Sequence, residues 1–200
     1  MKTMTNSLRN LRVTMFSMLC ILSGPALSGS LGIDTVLERT TITPPSRVGF
    51  REVRHNQMLK ENLVMTGYLE YLETGSLRKV IETPFEEAYL IRSDRIEIDR
   101  QGVTRTLSLR NSGTLRTMLS GIEAILAGKS EQLTSVFDYE LSGVEEDWSL
   151  RLLPRSGRMA KQLTSLTVTG DLESVTAIRF DLKDGEWHNM EIIQTSDSSL

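Results

Sequence analysis

The chain has one cysteine and two histidines among its 200 residues, and these shortages remove several kinds of chemistry at once. Cys20 has no partner for an internal disulfide, and one cysteine cannot build a cysteine-rich zinc module. His55 and His188 leave little for a metal site or a nucleophilic triad. Basic residues never gather into a block. The 23 Lys and Arg stand against 26 Asp and Glu, a net charge of −3, whereas a nucleic-acid binder carries a concentrated basic face. Missing too are a Gly-x-Ser-x-Gly elbow for a serine nucleophile and a glycine-rich phosphate loop after a strand. No apolar run approaches the roughly 20 residues that a bilayer-crossing helix needs. What remains is a globular composition, 39 % hydrophobic and 24 % charged, sized for one domain with appendages.

The first thirty residues form a different chemical regime. Lys2, Arg9 and Arg12 precede any acid, the first of which is Asp34. Residues 13–22 are then apolar, Ser23-Gly24-Pro25 breaks the run, and Ala26-Leu27-Ser28 is a small-x-small site. That order is expected of a secretory signal peptide over residues 1–28, cleaved near Ser28. The apolar run is half the length of a membrane anchor. Leu19 before Cys20 is not the small residue that lipidation motifs carry. Removing three basic residues and no acid leaves 20 Lys and Arg against 26 Asp and Glu, a charge of −6, with no cysteine. The expected compartment is a periplasm. At this size about 70 % of the chain surface can be buried, so the core needs no staple.

Beyond the signal the chain punctuates itself into short segments. Residues 31–39 place apolar side chains at 33, 36 and 37, a short helix ended before Pro44-Pro45. With its linker this makes an N-terminal piece over 29–47, ahead of a single domain over 48–200. From Val48 the pattern turns strand-like, with segments at 63–72, 77–83, 87–92, 95–99 and 103–108. The last two are joined by Arg100-Gln101-Gly102. One segment departs. Residues 114–127 set Leu115, Met118, Leu119, Ile122, Ile125 and Leu126 on one stripe at helical spacing. Asn111 and Ser112 are its cap candidates and Gly128 closes it. Strands resume at 136–141, 148–153, 166–169, 175–182 and 187–193, with Asp184-Gly185 a strong hairpin signal between the last two. About ten strands around one good helix predict a mainly β, α+β fold. Its form is a strongly curved antiparallel sheet, an unclosed β-barrel whose concave face takes the helix as a plug or lid.

Catalysis is not visible in these segments. His188 alternates with its neighbours as an ordinary strand residue, and His55 lies in the polar stretch Arg54-His55-Asn56-Gln57. Glu145-Glu146-Asp147 lacks the alternating ligand spacing of a calcium loop and fits a solvated hairpin tip. No catalytic residue, metal or cofactor is expected.

The order of elements and several anchors resemble the periplasmic outer-membrane lipoprotein carrier family, the LolA-like proteins. The resemblance runs from Gly49 to Ile193. It is carried by Phe50-Arg51-Glu52, by Gly67 with Tyr71 four residues on, and by the strand ending at Thr83-Pro84. Ile96-Glu97-Ile98-Asp99 before Gly102, the helix around Met118-Leu119, Phe137, and Trp148 to Pro154 complete it. The family pattern has an Arg-Pro pair opening the third strand. This chain reads Glu73-Thr74-Gly75-Ser76 there, with Arg78 and Lys79 further in, so it resembles a divergent LolA-related branch and the arginine's gating role is not carried over to Arg78.

The resemblance implies the same unclosed barrel and a carrier that is not an enzyme. Its cargo would be an acylated lipoprotein or another lipid, taken from an inner-membrane donor and passed to an outer-membrane acceptor by a monomer without nucleic acid. The apolar alternates of the central strands are the candidate lining: Met65, Leu69, Tyr71, Leu77, Ile81, Tyr89 and Ile91. Leu115, Met118, Leu119 and Ile122 are the candidate lid. Every sheet needs an apolar face, so each of these also fits a plain core. Two other classes stay open: an interaction or assembly module using exposed sheet edges, and a hydrolase with carboxylates gathered in the half-barrel.

Overall fold

Alternation of apolar and polar residues carries most of the described residues into one antiparallel sheet. The computed structural model describes residues 31–73, 75–110 and 112–194. The expected signal peptide lies outside the described residues, as does the cap candidate Asn111. In chain order the strands are β1 (Ser46–His55), β2 (Leu63–Glu73), β3 (Ser76–Thr83), β4 (Glu87–Arg92), β5 (Arg95–Arg100) and β6 (Val103–Ser108). After the helices come β7 (Phe137–Val144), β8 (Asp147–Pro154), β9 (Leu163–Asp171), β10 (Ser174–Leu182) and β11 (Trp187–Ile193). They are hydrogen-bonded in the order β6-β5-β4-β3-β2-β1-β11-β10-β9-β8-β7. Every neighbour pair is antiparallel, β11 closes against β1, and β6 and β7 are the two unpaired edges. The sheet is open and curved, as the sequence predicts.

Directly paired residues on antiparallel strands share a face, so the register defines the inner surface row by row. Val168, Ile178, Met190, Glu52 and Met65 stand side by side from β9 to β2. Val48, Leu69, Lys79, Tyr89 and Ile98 form a second row from β1 to β5. Tyr71, Leu77, Ile91 and Ile96 form a third.

Three α-helices accompany the sheet among the described residues: α1 (Ile33–Arg39), α2 (Gly113–Leu126) and α3 (Ser130–Val136). Ile33, Val36 and Leu37 of α1, Ala124 and Ile125 of α2, and Leu133 of α3 are buried against Phe137, Leu150, Leu152, Leu166 and Val168. The helices therefore cover the β7–β9 part of the inner face. A second buried cluster of Phe50, Met65, Ile81 and Met190 fills the β1–β3 part and the adjoining β11.

Helix α2 is built unequally at its two ends. Gly128 takes φ 65°, its N–H bonds the Ile125 carbonyl at 3.2 Å, and the Lys129 N–H bonds that of Ala124 at 2.8 Å. This is the paired Schellman closure that a glycine at C′ permits. At the other end Ser112 occupies the cap position but its hydroxyl makes no capping bond, and no acid stands in the first turn. The sequence also differs at 136: Val136 ends helix α3, and the strand expected from there begins at Phe137. Residues 130–136 carry a helical turn that the strand-like reading of their surroundings obscures. Both sharp hairpins are seated as expected, with positive φ at Gln101 and Gly102 and at Asp184 and Gly185.

Candidate functional site

Two regions of the inner face differ in chemistry. The first lies where α2 meets the β3–β4 pair. Leu77 and Ile91 are cross-strand partners there, and Leu119, Ile122 and Leu126 of α2 face them across a groove of about 170 Å³. Gly75, Arg92, Arg116 and Glu123 form its polar rim. Small-molecule pockets usually measure ~300–1,000 Å³, so a whole acyl chain enters only if α2 yields.

The structure brings Leu77, Ile91, Leu119 and Ile122 together from the predicted lining and lid. Met65 and Ile81 lie instead in the buried β1–β3 cluster, with Leu69 and Tyr89 packed at its margin. Tyr71 is buried. Met118 packs against the helix-covered core, and Leu115 is half-buried on the open turn of α2.

The second region is polar, and the sequence reading missed it. Glu52 is 2 % exposed. Its carboxylate accepts hydrogen bonds from the Lys79 ammonium and, at 2.7 Å, from Nε of Arg54. His188 Nδ1 stands 3.9 Å from the same carboxylate. Lys79, itself only 12 % exposed along its side chain, lies 4.7 Å over the Phe50 ring. One strand pair away, buried Glu87 accepts from the Tyr89 hydroxyl at 2.7 Å and from Nε of Arg100 at 3.0 Å. Strand parity was the available signal: Lys79 lies midway between Leu77 and Ile81, and Glu52 shares the parity of Phe50. Arg78, by contrast, is exposed and pairs with Glu70 at 3.5 Å.

Electrostatics follows from this placement. Burial pushes the Glu52 carboxyl up, but Lys79 and Arg54 outweigh it and hold it below the ordinary carboxylate value. Burial lowers Lys79 even with Glu52 beside it. Burial, then Arg54, lowers His188. Burial and the bond to Glu87 push the Tyr89 phenol up to about 12. A general acid needs a carboxyl raised toward neutrality, and Glu52 is moved the other way. Glu52 is thus held as a charged partner of Lys79 and Arg54. His55, placed in a solvated stretch by its sequence, stacks on Trp187 at 5.6 Å and bonds Asn62 at 2.9 Å. Among the described residues no group of three or more His, Cys, Asp or Glu could hold a metal ion. No described helix is long and apolar enough to cross a membrane.

An open antiparallel sheet with a helix laid over an apolar groove defines a half-barrel. Residues 25–192 match the family described as outer membrane lipoprotein carrier protein LolA-like, and the chain belongs to that family. No curated protein matches the sequence. Among solved structures the chain is similar to a LolA superfamily protein from Nitrosomonas europaea, at 10 % identity and a TM-score of 0.44, covering 85 % of this chain and 96 % of that one. Lipoprotein LppX from Mycobacterium tuberculosis gives 9 % and 0.43, with 84 % and 94 % covered. A putative outer membrane lipoprotein-sorting protein domain from Vibrio parahaemolyticus gives 12 % and 0.41, also with 84 % and 94 % covered. Family membership rests on the sequence match.

Proposed function

We propose that the protein is a periplasmic carrier that shields the acyl chains of a lipoprotein or another lipid during transfer toward the outer membrane. One observation carries this reading: α2 keeps an apolar stripe only half-buried, and Leu119 and Ile122 on that stripe face Leu77 and Ile91 across a groove. Moving α2 exchanges protein packing for lipid packing at small net cost. A sixteen-carbon chain left in water costs on the order of 13 kcal/mol, at ~0.8 kcal/mol per methylene, so transfer without a shield is negligible. An inner-membrane donor and an outer-membrane acceptor would load and unload it.

The test replaces Ile122 or Leu119 by Glu and pairs thermal unfolding with displacement of a fluorescent fatty-acid probe. A lining residue open to lipid tolerates the charge, so the variant is expected to stay folded and lose the probe. An unpaired charge in a plain core costs several kcal/mol, a large part of the ~5–15 kcal/mol stability of a domain. A second reading, an assembly module, is favoured by edge strand β6, whose six residues are all exposed, with Val103 at 60 %. Wild-type protein that never binds the probe would favour it.

A further inference from the structure

We infer that the charged network on the inner face receives an anionic lipid head group, a phosphodiester carrying a single negative charge next to its acyl chains. The inference rests on the carrier reading above and narrows its cargo. It starts from an imbalance. Arg54, Lys79 and Arg100 supply three positive charges to this part of the face, and Glu52 and Glu87 supply two negative ones. One cation is in surplus, and Arg105, paired with Ile98 in the register on the exposed edge strand, only adds to it.

The surplus has an address. Arg54 spends Nε on Glu52, and its two terminal nitrogens make no hydrogen bond among the described residues. Its side chain is 30 % exposed, so the free fork is reachable. The His188 ring, beside it in the register, likewise makes no hydrogen bond among the described residues. A guanidinium fork matches the two non-bridging oxygens of a phosphodiester, and a neutral imidazole adds one donor.

Stability alone does not account for the arrangement. Replacing a buried ion pair by apolar residues is often neutral or stabilising, so folding alone does not require a charged network on this face. Position completes the case. Tyr71 of the groove row and Leu63, the β2 partner of Arg54, are eight residues apart on β2, ~26 Å at ~3.3 Å per residue. An amphiphile with its chains under α2 and its head at Arg54 would span that distance. The neutral diacylglyceryl group of an acylated protein would leave the surplus charge unanswered.

Binding of dipalmitoyl phosphatidylglycerol, dipalmitoylglycerol and glycerol phosphate to the purified protein separates the outcomes. The phospholipid is expected to bind at least tenfold tighter than the neutral lipid with the same chains, and glycerol phosphate alone at least a hundredfold weaker than the phospholipid. Arg54→Gln, which keeps the Lys79–Glu52 pair, is expected to erase the tenfold preference by weakening phospholipid binding to the level of dipalmitoylglycerol. Equal wild-type affinity for the two lipids overturns the head-group site while the carrier stands, and this comparison needs no variant to fold. Retention of the preference in folded Arg54→Gln also overturns it. Glycerol phosphate binding as tightly as the phospholipid makes this a site for free phosphates and overturns it too. Binding of neither lipid removes the carrier reading and the head-group site with it.

Discussion

Lys79 and Glu52 show how a single pair can define the interior of a sheet that otherwise reads as apolar. Removing one partner of a buried pair leaves a lone charge, at a cost of ~3–5 kcal/mol. Glu52→Gln leaves the buried Lys79 ammonium without its carboxylate and is therefore expected to lower stability by about that amount in urea unfolding, and Glu52→Gln combined with Lys79→Met to recover most of it. A double variant as unstable as the single one would show that the pair is not coupled. His188 gives a pH prediction. Its proton affinity is lowered in the folded chain, chiefly by burial, so below the ordinary value of 6.5 the unfolded chain takes up a proton first. Stability from this group is complete above pH 6.5 and is lost as pH falls through the lowered folded value. The melting temperature is expected to fall between pH 7.5 and 5.5, and less steeply in His188→Asn. Equal slopes in the two proteins would contradict that assignment.

At the level of elements, α2 combines a firm C-terminal end with a loose N-terminal one. A Cβ on Gly121 would lie 2.5 Å from Cε2 of the buried Phe137 ring, so this glycine lets the helix sit close. Gly121→Val is expected to destabilise by ~1–3 kcal/mol through overpacking, read as a lower urea midpoint. The Schellman closure and the Ile42 N–H bond to the Leu126 carbonyl at 2.9 Å hold the same end. The first turn lacks a side-chain cap and an acid and carries Arg116, which opposes the helix dipole. Amides of 115–119 are expected to exchange faster than those of β8 and β9; exchange as slow as the strands would count against a lid. These particulars also separate what was legible in the sequence from what was not. Helix α2, its closing Gly128 and the two φ-positive hairpins are local patterns, and each carries its own residue signature. Helix α3 is a single short turn sequence between two stronger elements, with no apolar stripe to announce it. The lining was half legible: parity identifies Leu77 and Ile91, but only long-range register decides that Met65 and Ile81 are sealed while Leu77 faces α2. Lys79 and Glu52 went unread because charge on a strand ordinarily means the solvent face.

As a whole molecule, the chain has one continuous sheet with two kinds of interior: a helix-covered core over β7–β9 and a lighter, partly polar interior over β1–β5. Ala124 and Ile125 of α2 pack into the first, and Leu119 and Ile122 face the second across the groove. That division is what a carrier requires, since the part that moves must be anchored in a part that does not. It also concentrates the interior charge away from the helix-covered half, leaving the groove beneath α2 lined by Leu77, Ile91, Leu119 and Ile122. The most direct test is lipid mass spectrometry of the protein purified from cells under native conditions. The carrier account expects an acylated lipid or lipoprotein in near-stoichiometric amount from the wild type, and its loss from folded Ile122→Glu. Wild-type protein recovered folded and free of any acylated molecule would contradict it.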